Sequence, residues 1–217
     1  QGMKIISVIL ARGGSKGILK KNIINLNGKP LIYYPIVESL KSKYIDETWV
    51  STNDMEIKKT SLKYGAKVID RPDDICQDSS TSEIGLLHFA ENIEFDILVF
   101  IQCTSPKVHH KYINKGIEMI KSGEYDSIFS SYKQHWIPEW TTNLKPLNFN
   151  IEEGYERRQD KESKLIDIGM FYVIKKEILL KNKFRLGGKI GYVEIPLKDS
   201  FQIDNMEDLK LIEKLMK

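Results

Sequence analysis

The stretch IISVILARGGSKGILKKN, residues 5–22, joins a run of apolar residues directly to a turn that is rich in glycine and basic side chains. The run over residues 5–11 has the length of a buried strand and is bounded by turn residues. Glycines in such a turn let backbone N–H groups approach an anion closely. The stretch therefore predicts a buried strand that ends at an anion-binding turn.

Outward from this stretch, short apolar runs alternate with segments of helical period along most of the chain. Strands are predicted at residues 5–11, 48–52, 66–69, 97–102, 127–131, 169–174 and 192–195, and helices at 30–40, 54–64, 82–92, 110–121 and 205–216. Proline at the first position is a helix-start signal for the 30–40 segment. The alternation predicts an α/β fold with a mainly parallel sheet covered by helices on both faces. In such sheets ligands bind beyond the carboxyl ends of the strands.

The 217 residues favour a single domain over residues 3–217. Gln1 and Gly2 precede Met3 and are interpreted as the remnant of an expression tag. The alternation breaks over residues 133–165, a polar segment that we call the arm. Its aromatic residues could serve an interface or could pin the arm to its own core, and the sequence favours neither. They are Trp136, Trp140, Phe149 and Tyr155.

Composition and charge narrow the class of protein. A net charge of +3 from 33 basic and 30 acidic residues is too balanced to indicate a nucleic-acid-binding protein. The apolar run near the start is far too short to span a membrane. Cys76 and Cys103 fit neither a disulfide framework nor a zinc site, which indicates a reducing compartment. We expect a cytoplasmic protein with neither a membrane nor a nucleic-acid partner.

The glycine-rich turn, residues 11–22, has the chemistry of a polyphosphate site. Arg12, Lys16 and Lys21 could donate charge-assisted hydrogen bonds to phosphate oxygens. Residues 12–37 contain five basic side chains and no acidic one. The turn lacks the Gly-Lys-Ser/Thr order of a Walker loop and the GxGxxG spacing of a dinucleotide site. The alternative is a solvated basic turn, which would leave this charge unopposed.

At these residues the chain resembles the CMP-sialic acid synthetase (CMP-N-acylneuraminate cytidylyltransferase) family. The resemblance spans nearly the whole chain, and it is carried by ARGGSKGILKKN (11–22), LNGKPL (26–31), STND (51–54), RP (71–72), QCTSP (102–106), RQD (158–160), GMFY (169–172) and IDNMED (203–208). It implies a Rossmann-like, GT-A-like nucleotidyltransferase fold. It also implies a Mg²⁺-dependent enzyme, a homodimer whose arm crosses to the partner, and CTP and an acidic nine-carbon sugar as substrates.

The resemblance assigns CTP binding to one group of residues, of which Arg12 and Lys21 are also expected to be catalytic. The CTP-binding residues are Arg12, Gly13, Ser15, Lys16, Lys21, Asn22, Arg71 and Ser82. Two of them have an alternative interpretation. Arg71 lies among Asp70, Asp73 and Asp74 and could form a surface ion pair. Ser82, with Ser80 and Thr81, could instead be a helix N-cap residue, with Ser80 and Glu83 spaced as a capping box.

The resemblance assigns sugar binding to Gln102, Arg158 and Tyr172, with Arg158 recognising the sugar carboxylate through its planar fork. Tyr172 could equally be an aromatic residue on a buried strand. Cys103 is interpreted as a packed residue because no activating base accompanies it. His88, His109, His110 and His135 have no metal-ligand spacing, and we expect structural or surface roles for them.

Asp204 is the candidate metal ligand, and by resemblance it is also catalytic. Mg²⁺ needs only one or two carboxylates when substrate phosphates complete its shell. The alternative is a helix cap formed with Glu207. Many relatives have a second aspartate where this chain has Gln202, and the segment 167–172 is closer to relatives that activate pseudaminic or legionaminic acid.

Three other functions remain open at this point. The chain could be a cytidylyltransferase for the eight-carbon acid of lipopolysaccharide, although those relatives usually have Gln-Gly-Asp-Glu-Pro where this chain has QCTSP at 102–106. It could be another nucleotide-sugar pyrophosphorylase, which would carry a different turn. It could also be a non-catalytic nucleotide-binding regulator. Turnover with a panel of acidic sugars separates these functions.

Overall fold

The computed structural model describes residues 2–14 and 17–217. Its strands are β1 (Ile5–Leu10), β2 (Asn25–Leu26), β3 (Lys29–Pro30), β4 (Glu47–Thr52), β5 (Lys67–Asp70), β6 (Ile97–Ile101), β7 (Ser127–Gln134), β8 (Lys164–Lys175) and β9 (Ile190–Glu194). Its α-helices are α1 (Tyr33–Lys41), α2 (Met55–Lys63), α3 (Ser82–Asn92), α4 (His110–Lys121), α5 (Lys176–Asn182) and α6 (Met206–Leu215).

Seven strands form one sheet in the order β5-β4-β1-β6-β8-β7-β9, and β2 and β3 form a separate hairpin. β1 pairs in parallel with β4 and β6, and β4 pairs in parallel with β5. β8 is antiparallel to both β6 and β7, while β7 and β9 are parallel. One strand is therefore reversed in a sheet that otherwise runs in one direction, which confirms the prediction of a mainly parallel α/β fold.

The first strand shows how this sheet becomes buried on both faces. Successive side chains of a strand point to opposite faces. Ile5 and Ile9 accordingly pack in a cluster with residues of α1 and α4, while Ile6 and Val8 pack in a second cluster with residues of α3. Because both faces are covered, the strand needs apolar side chains at nearly every position, which is the continuous pattern seen in the sequence.

The predicted helix starts have mixed outcomes. The structure confirms helices at residues 82–92 and 110–121. The prediction that a helix begins at Pro30 is wrong, because Pro30 pairs with Asn25 in the β2-β3 hairpin. The helix begins at Tyr33 instead, and Pro35 occupies its first turn, where a missing N–H costs no helical hydrogen bond.

The arm connects two paired strands. β7 extends to Gln134 and β8 starts at Lys164, and these two residues are partners in the β7-β8 register. Within the arm, Trp140, Phe149 and Tyr155 contact each other edge to face, with ring centroids 5.1 and 4.9 Å apart. The arm therefore has a small aromatic cluster of its own. In the described part of the chain, no helix is both long and apolar enough to cross a membrane.

Candidate nucleotide site at the carboxyl edge of the sheet

A cleft of about 300 Å³ opens where the parallel strands β1 and β6 end. Because carboxyl ends of parallel strands meet at one edge, the segments that follow them converge there. Six residues predicted from the sequence line the cleft: Arg12, Lys21, Asn22, Arg71, Ser82 and Gln102. Leu10, Gly14, Ile75, Ser80, Thr81, Phe100, Cys103 and Thr104 complete the lining. The structure thus brings together most of the residues predicted to bind a nucleotide.

Hydrogen bonds fix the first part of the glycine-rich turn against the neighbouring strand end. The backbone N–H of Gly13 donates to Asn53 Oδ1 at 2.8 Å, and Asn22 Nδ2 donates to the carbonyl of Arg12 at 3.1 Å. A Cβ at Gly13 would lie 3.0 Å from the side chain of Asp54, which caps α2. Glycine at position 13 therefore allows the turn to pack directly against the start of α2.

Arg12 has an acidic partner in the loop that precedes α3. Its Nη1 lies 2.7 Å from Asp78 Oδ1, and both side chains are partly exposed. Sequence reasoning did not select Asp78, because a lone aspartate in a polar loop has no distinguishing pattern. Its carboxylate stands where a phosphate oxygen could pair with Arg12, so anion binding would exchange one partner for the other.

Ser15 and Lys16 lie outside the described residues. Directly after them, Gly17 has φ +86°, a conformation that favours glycine. Lys20 is also left-handed, at φ 50°, and pairs with Glu56 of α2. Lys21 starts the short 3-10 turn Lys21–Ile23 and lines the cleft.

Arg71 is buried, with 7% of its surface exposed. Its Nη2 donates to the carbonyl of Ser51 at 3.2 Å, and its Nε has no partner. Burial lowers the pKa of Arg71, the nearby Cys76 opposes that shift, and the charge of Arg12 adds to it. The alternative of a surface ion pair is therefore wrong: no carboxylate pairs with Arg71 in the described part of the chain, and its guanidinium borders the cleft.

Helix α3 begins at the cleft. Its N-cap is Thr81, whose hydroxyl accepts from the N–H of Ile84 at 3.4 Å. The alternative that this segment caps the helix is confirmed at Thr81, but the capping box of Ser80 and Glu83 is wrong, because the Ser80 hydroxyl accepts from the N–H of Gln77 instead. Ser82 is left at the first helical position, where unpaired backbone N–H groups favour an anion or another acceptor.

The second side of the site is centred on Gly169, which has φ +67°. A Cβ there would lie 2.9 Å from Gln202 Nε2, 3.0 Å from Gln102 Nε2 and 3.8 Å from the Tyr172 hydroxyl. Tyr172 is buried, stacks on Phe100 and donates to Asp167 Oδ1 at 2.8 Å. Tyr172 is thus both a buried strand residue and a neighbour of Gln102.

A half-buried ion pair between Arg185 and Glu83 lies against the rings of Phe100 and Tyr172. Arg185 donates to both carboxylate oxygens of Glu83, at 2.8 and 2.7 Å. Its guanidinium carbon lies 5.3 Å from the ring centre of Phe100 and 5.1 Å from that of Tyr172. Sequence reasoning missed this pair, because its members are 102 residues apart and no local pattern relates them.

Asp204 lies beside the glycine-rich turn, since a Cβ at Gly17 would lie 3.4 Å from its backbone oxygen. The alternative of a helix cap formed by Asp204 and Glu207 is wrong. Asn205 is the N-cap of α6, and Asp208 completes its capping box. The side chain of Asp204 is exposed and has no hydrogen-bond partner in the described part of the chain. An exposed carboxylate without a partner, on a residue whose backbone adjoins the glycine-rich turn, is a ligand type that Mg²⁺ accepts.

Three other predicted features lie outside the cleft or are inert. Arg158 is exposed within the arm and is not among the cleft residues.

Burial raises the pKa of the Cys103 thiol to about 12, with Lys21 opposing, so Cys103 stays protonated. Glu38 accepts from the N–H of His110 and pairs with its ring, while His109 Nδ1 accepts from the N–H of Lys111. These two histidines have structural contacts, as expected. The expectation that no ligand cluster accompanies them is wrong, because with Glu38 they place three potential ligand atoms within 4.8 Å of one another.

Comparison with known proteins gives a consistent picture. The family described as cytidylyltransferase matches residues 6–215. N-acylneuraminate cytidylyltransferase A of Danio rerio is 38% identical over an alignment of 208 positions that covers 92% of this chain and 48% of that protein. The pseudaminic acid cytidylyltransferase of Campylobacter jejuni is 28% identical over an alignment of 225 positions that covers 99% of this chain and 97% of that protein. The chain spans about half the length of the Danio rerio relative.

Solved structures share the fold. A CMP:2-keto-3-deoxy-manno-octonic acid synthetase complexed with CTP superposes with a TM-score of 0.74 at 19% identity, covering 98% of both chains. A 4-diphosphocytidyl-2C-methyl-D-erythritol synthase from Anaerococcus prevotii superposes with a TM-score of 0.71 at 13% identity, covering 99% of this chain and 96% of that one. These likenesses support a Rossmann-like nucleotidyltransferase fold.

Proposed function

The chain belongs to the cytidylyltransferase family, and from that premise we propose that it transfers CMP from CTP to the anomeric hydroxyl of a nonulosonic acid, releasing pyrophosphate. The observation that carries the proposal is Arg71. A guanidinium with 7% exposure, an unpartnered Nε and no carboxylate beside it in the described chain borders the same cleft as Arg12 and Lys21. Such a cationic cleft is stabilised by a polyanion.

The reaction is a direct displacement at the α-phosphorus of CTP. The anomeric oxygen forms a bond to that phosphorus, the bond to the bridging oxygen of pyrophosphate breaks, and the hydroxyl proton is lost to solvent. Arg12 and Lys21 would neutralise charge that develops on the leaving pyrophosphate. Cys103 takes no part, because a thiol with a pKa of about 12 is a poor nucleophile near neutral pH.

Mg²⁺ would be held by Asp204, together with phosphate oxygens and water. Bound there, the ion would supply charge neutralisation on the phosphates. Asp204 fits this role because its carboxylate has no hydrogen-bond partner in the described chain, and its backbone adjoins Gly17.

The acceptor would bind on the side of Gly169, with Gln102 and Tyr172 contributing. An acidic nine-carbon sugar is supported by the names of the relatives, which act on N-acylneuraminate and pseudaminic acid. Arg158 would pair with the sugar carboxylate through its planar fork.

Because Arg158 is exposed on the arm, we propose a homodimer in which the arm crosses to the partner. Two buried, unpaired cysteines favour a reducing, cytoplasmic location.

The test is pyrophosphate release from CTP and Mg²⁺ with a panel of acceptors: neuraminic, pseudaminic and legionaminic acids and the eight-carbon acid of lipopolysaccharide. We expect turnover with a nine-carbon acid. Arg12→Ala and Lys21→Ala should lower kcat at least about 100-fold, whereas Lys59→Ala, on the exposed face of α2, should have no effect. CTP binding without turnover of any acceptor would favour a non-catalytic regulator. Turnover of the eight-carbon acid alone would replace the proposed acceptor.

A further inference from the structure

Two carboxamides meet at Gly169 on the acceptor side of the cleft. The Nε2 atoms of Gln102 and Gln202 lie within 3.0 Å of the point where a Cβ of residue 169 would be. Both side chains are half-buried, and neither has a hydrogen-bond partner in residues 2–14 or 17–217. Glycine leaves this point open, and its φ of +67° disfavours any other residue there.

Backbone hydrogen bonds hold both glutamines in place. The N–H of Gln102 donates to the carbonyl of Met170 at 3.1 Å. The N–H of Ile203, directly after Gln202, donates to the carbonyl of Thr104 at 2.8 Å. The two amides are therefore presented by fixed segments, and half-buried polar groups without a partner favour a ligand that can hydrogen-bond to both.

The position of Gln202 argues against a role as a second metal ligand. Asp204 adjoins Gly17 of the glycine-rich turn, whereas the amide of Gln202 adjoins Gly169 at the start of the buried part of β8. The Gln202 amide and the Asp204 backbone thus adjoin two different glycines of the site. A neutral carboxamide is also a weaker ligand for Mg²⁺ than a carboxylate.

We propose that Gln202 is a specificity-determining residue that, with Gln102, forms a paired-carboxamide subsite for neutral oxygen groups of the acceptor. The groups recognised are hydroxyl and N-acyl carbonyl oxygens, to which each amide can donate and from which its oxygen can accept. This inference rests on the proposed function, since it assumes that the acceptor sugar binds on this side.

The experiment compares wild type with Gln202→Ala and Gln202→Glu in steady-state kinetics. Gln202→Ala removes the amide, and we expect KM for the acceptor to rise about tenfold, with KM for CTP and the Mg²⁺ concentration for half-maximal rate unchanged. Gln202→Glu keeps the shape of the side chain but adds a charge that repels an acidic acceptor. We expect it to raise the acceptor KM at least as much, again without changing the Mg²⁺ requirement. Asn92→Ala, an amide truncation at the far end of α3, is the matched control.

The outcomes separate this inference from the proposed function. If the wild type turns over a nine-carbon acid but both Gln202 variants keep its acceptor KM, the paired-carboxamide subsite is wrong and the proposed function stands. A lower Mg²⁺ requirement in Gln202→Glu with an unchanged acceptor KM would make Gln202 a metal-site residue and also overturn the inference. A wild type that turns over no acceptor overturns both. Because Gln202→Glu is nearly isosteric, it remains informative if the alanine variant folds poorly.

Discussion

Arg71 shows how far a single residue can be interpreted from sequence. Its neighbours Asp70, Asp73 and Asp74 suggested a surface ion pair, because sequence proximity is the only information available at that level. In the structure Asp70 pairs with Lys58, and Arg71 turns inward to the carbonyl of Ser51. Sequence proximity was misleading because the direction of a side chain after a strand depends on what the sheet packs against.

Replacing Arg71 should separate function from stability. Arg71→Met removes a charge-assisted contact to CTP, worth roughly 1.5–3 kcal/mol, so we expect KM for CTP to rise at least about tenfold. The same change removes a buried cation without a carboxylate partner, and the melting temperature should therefore stay the same or rise. Kinetics and thermal unfolding measure the two effects. Lys59→Met on exposed α2 is the control, and a clear loss of stability in Arg71→Met would contradict the assignment.

Tyr172 should make stability depend on alkaline pH. Burial, reinforced by the hydrogen bond to Asp167, raises the pKa of Tyr172 to about 12, against about 10 in an unfolded chain. The folded state disfavours the phenolate, so this contribution is complete below about pH 10 and is lost as pH rises toward 12. Urea unfolding at several pH values should show a steeper alkaline loss in wild type than in Tyr172→Phe. Identical pH profiles for the two proteins would contradict this reasoning.

Among the helices, those long enough to show a clear helical period were predicted from the sequence, and a short one was not. Helices α3 and α4 were found with their bounds because clear turn residues precede an apolar stripe. The seven-residue helix α5 was missed, since two turns are too short to give a period. The cap of α6 was displaced by one residue from the prediction: both Asp204 and Asn205 can cap a helix, and only backbone geometry selects between them.

The Glu83–Arg185 pair joins α3 to the segment after α5, and it should be a stabilising link between elements. Its side chains are 16 and 17% exposed, so breaking it leaves a largely desolvated charge. We expect Glu83→Gln to lower the free energy of unfolding by about 1–3 kcal/mol. A double-mutant cycle with Arg185→Met tests the pairing by urea denaturation. If the losses in the two single variants add in the double variant, the two side chains do not stabilise each other.

At the scale of the whole molecule, sheet direction was predictable because strands buried on both faces have continuous apolar runs. The reversed direction of β8 was not, because its core segment 168–174 is as apolar as its parallel neighbours. That reversal brings Gly169 and Tyr172 to the edge of the sheet where β6 ends, next to Gln102. The roles proposed for Gln102 and Tyr172 in acceptor binding therefore rest on resemblance, whereas their proximity became visible only in the tertiary structure.

The arm should mediate self-association. It exposes apolar side chains at Trp140, Leu144, Leu147, Ile151 and Tyr155, each between 44 and 79% exposed. Such a concentration of apolar surface is typical of an interface. We expect a homodimer at micromolar concentration by sedimentation velocity, and Leu147→Glu should shift it toward monomer. Leu62→Glu, an equally drastic change on exposed α2, should leave the dimer intact. A monomeric wild type would contradict the proposed assembly.

The pairing of Gln134 with Lys164 has a consequence for how such a molecule can diversify. The two ends of the arm are paired with each other in the β7-β8 register, so the segment between them leaves the sheet and returns to it at the same place. A change in the length of that segment should cost the sheet little stability, because loop-closure entropy changes only slowly with length. Recombination could therefore exchange the segment between them without changing how β7 pairs with β8.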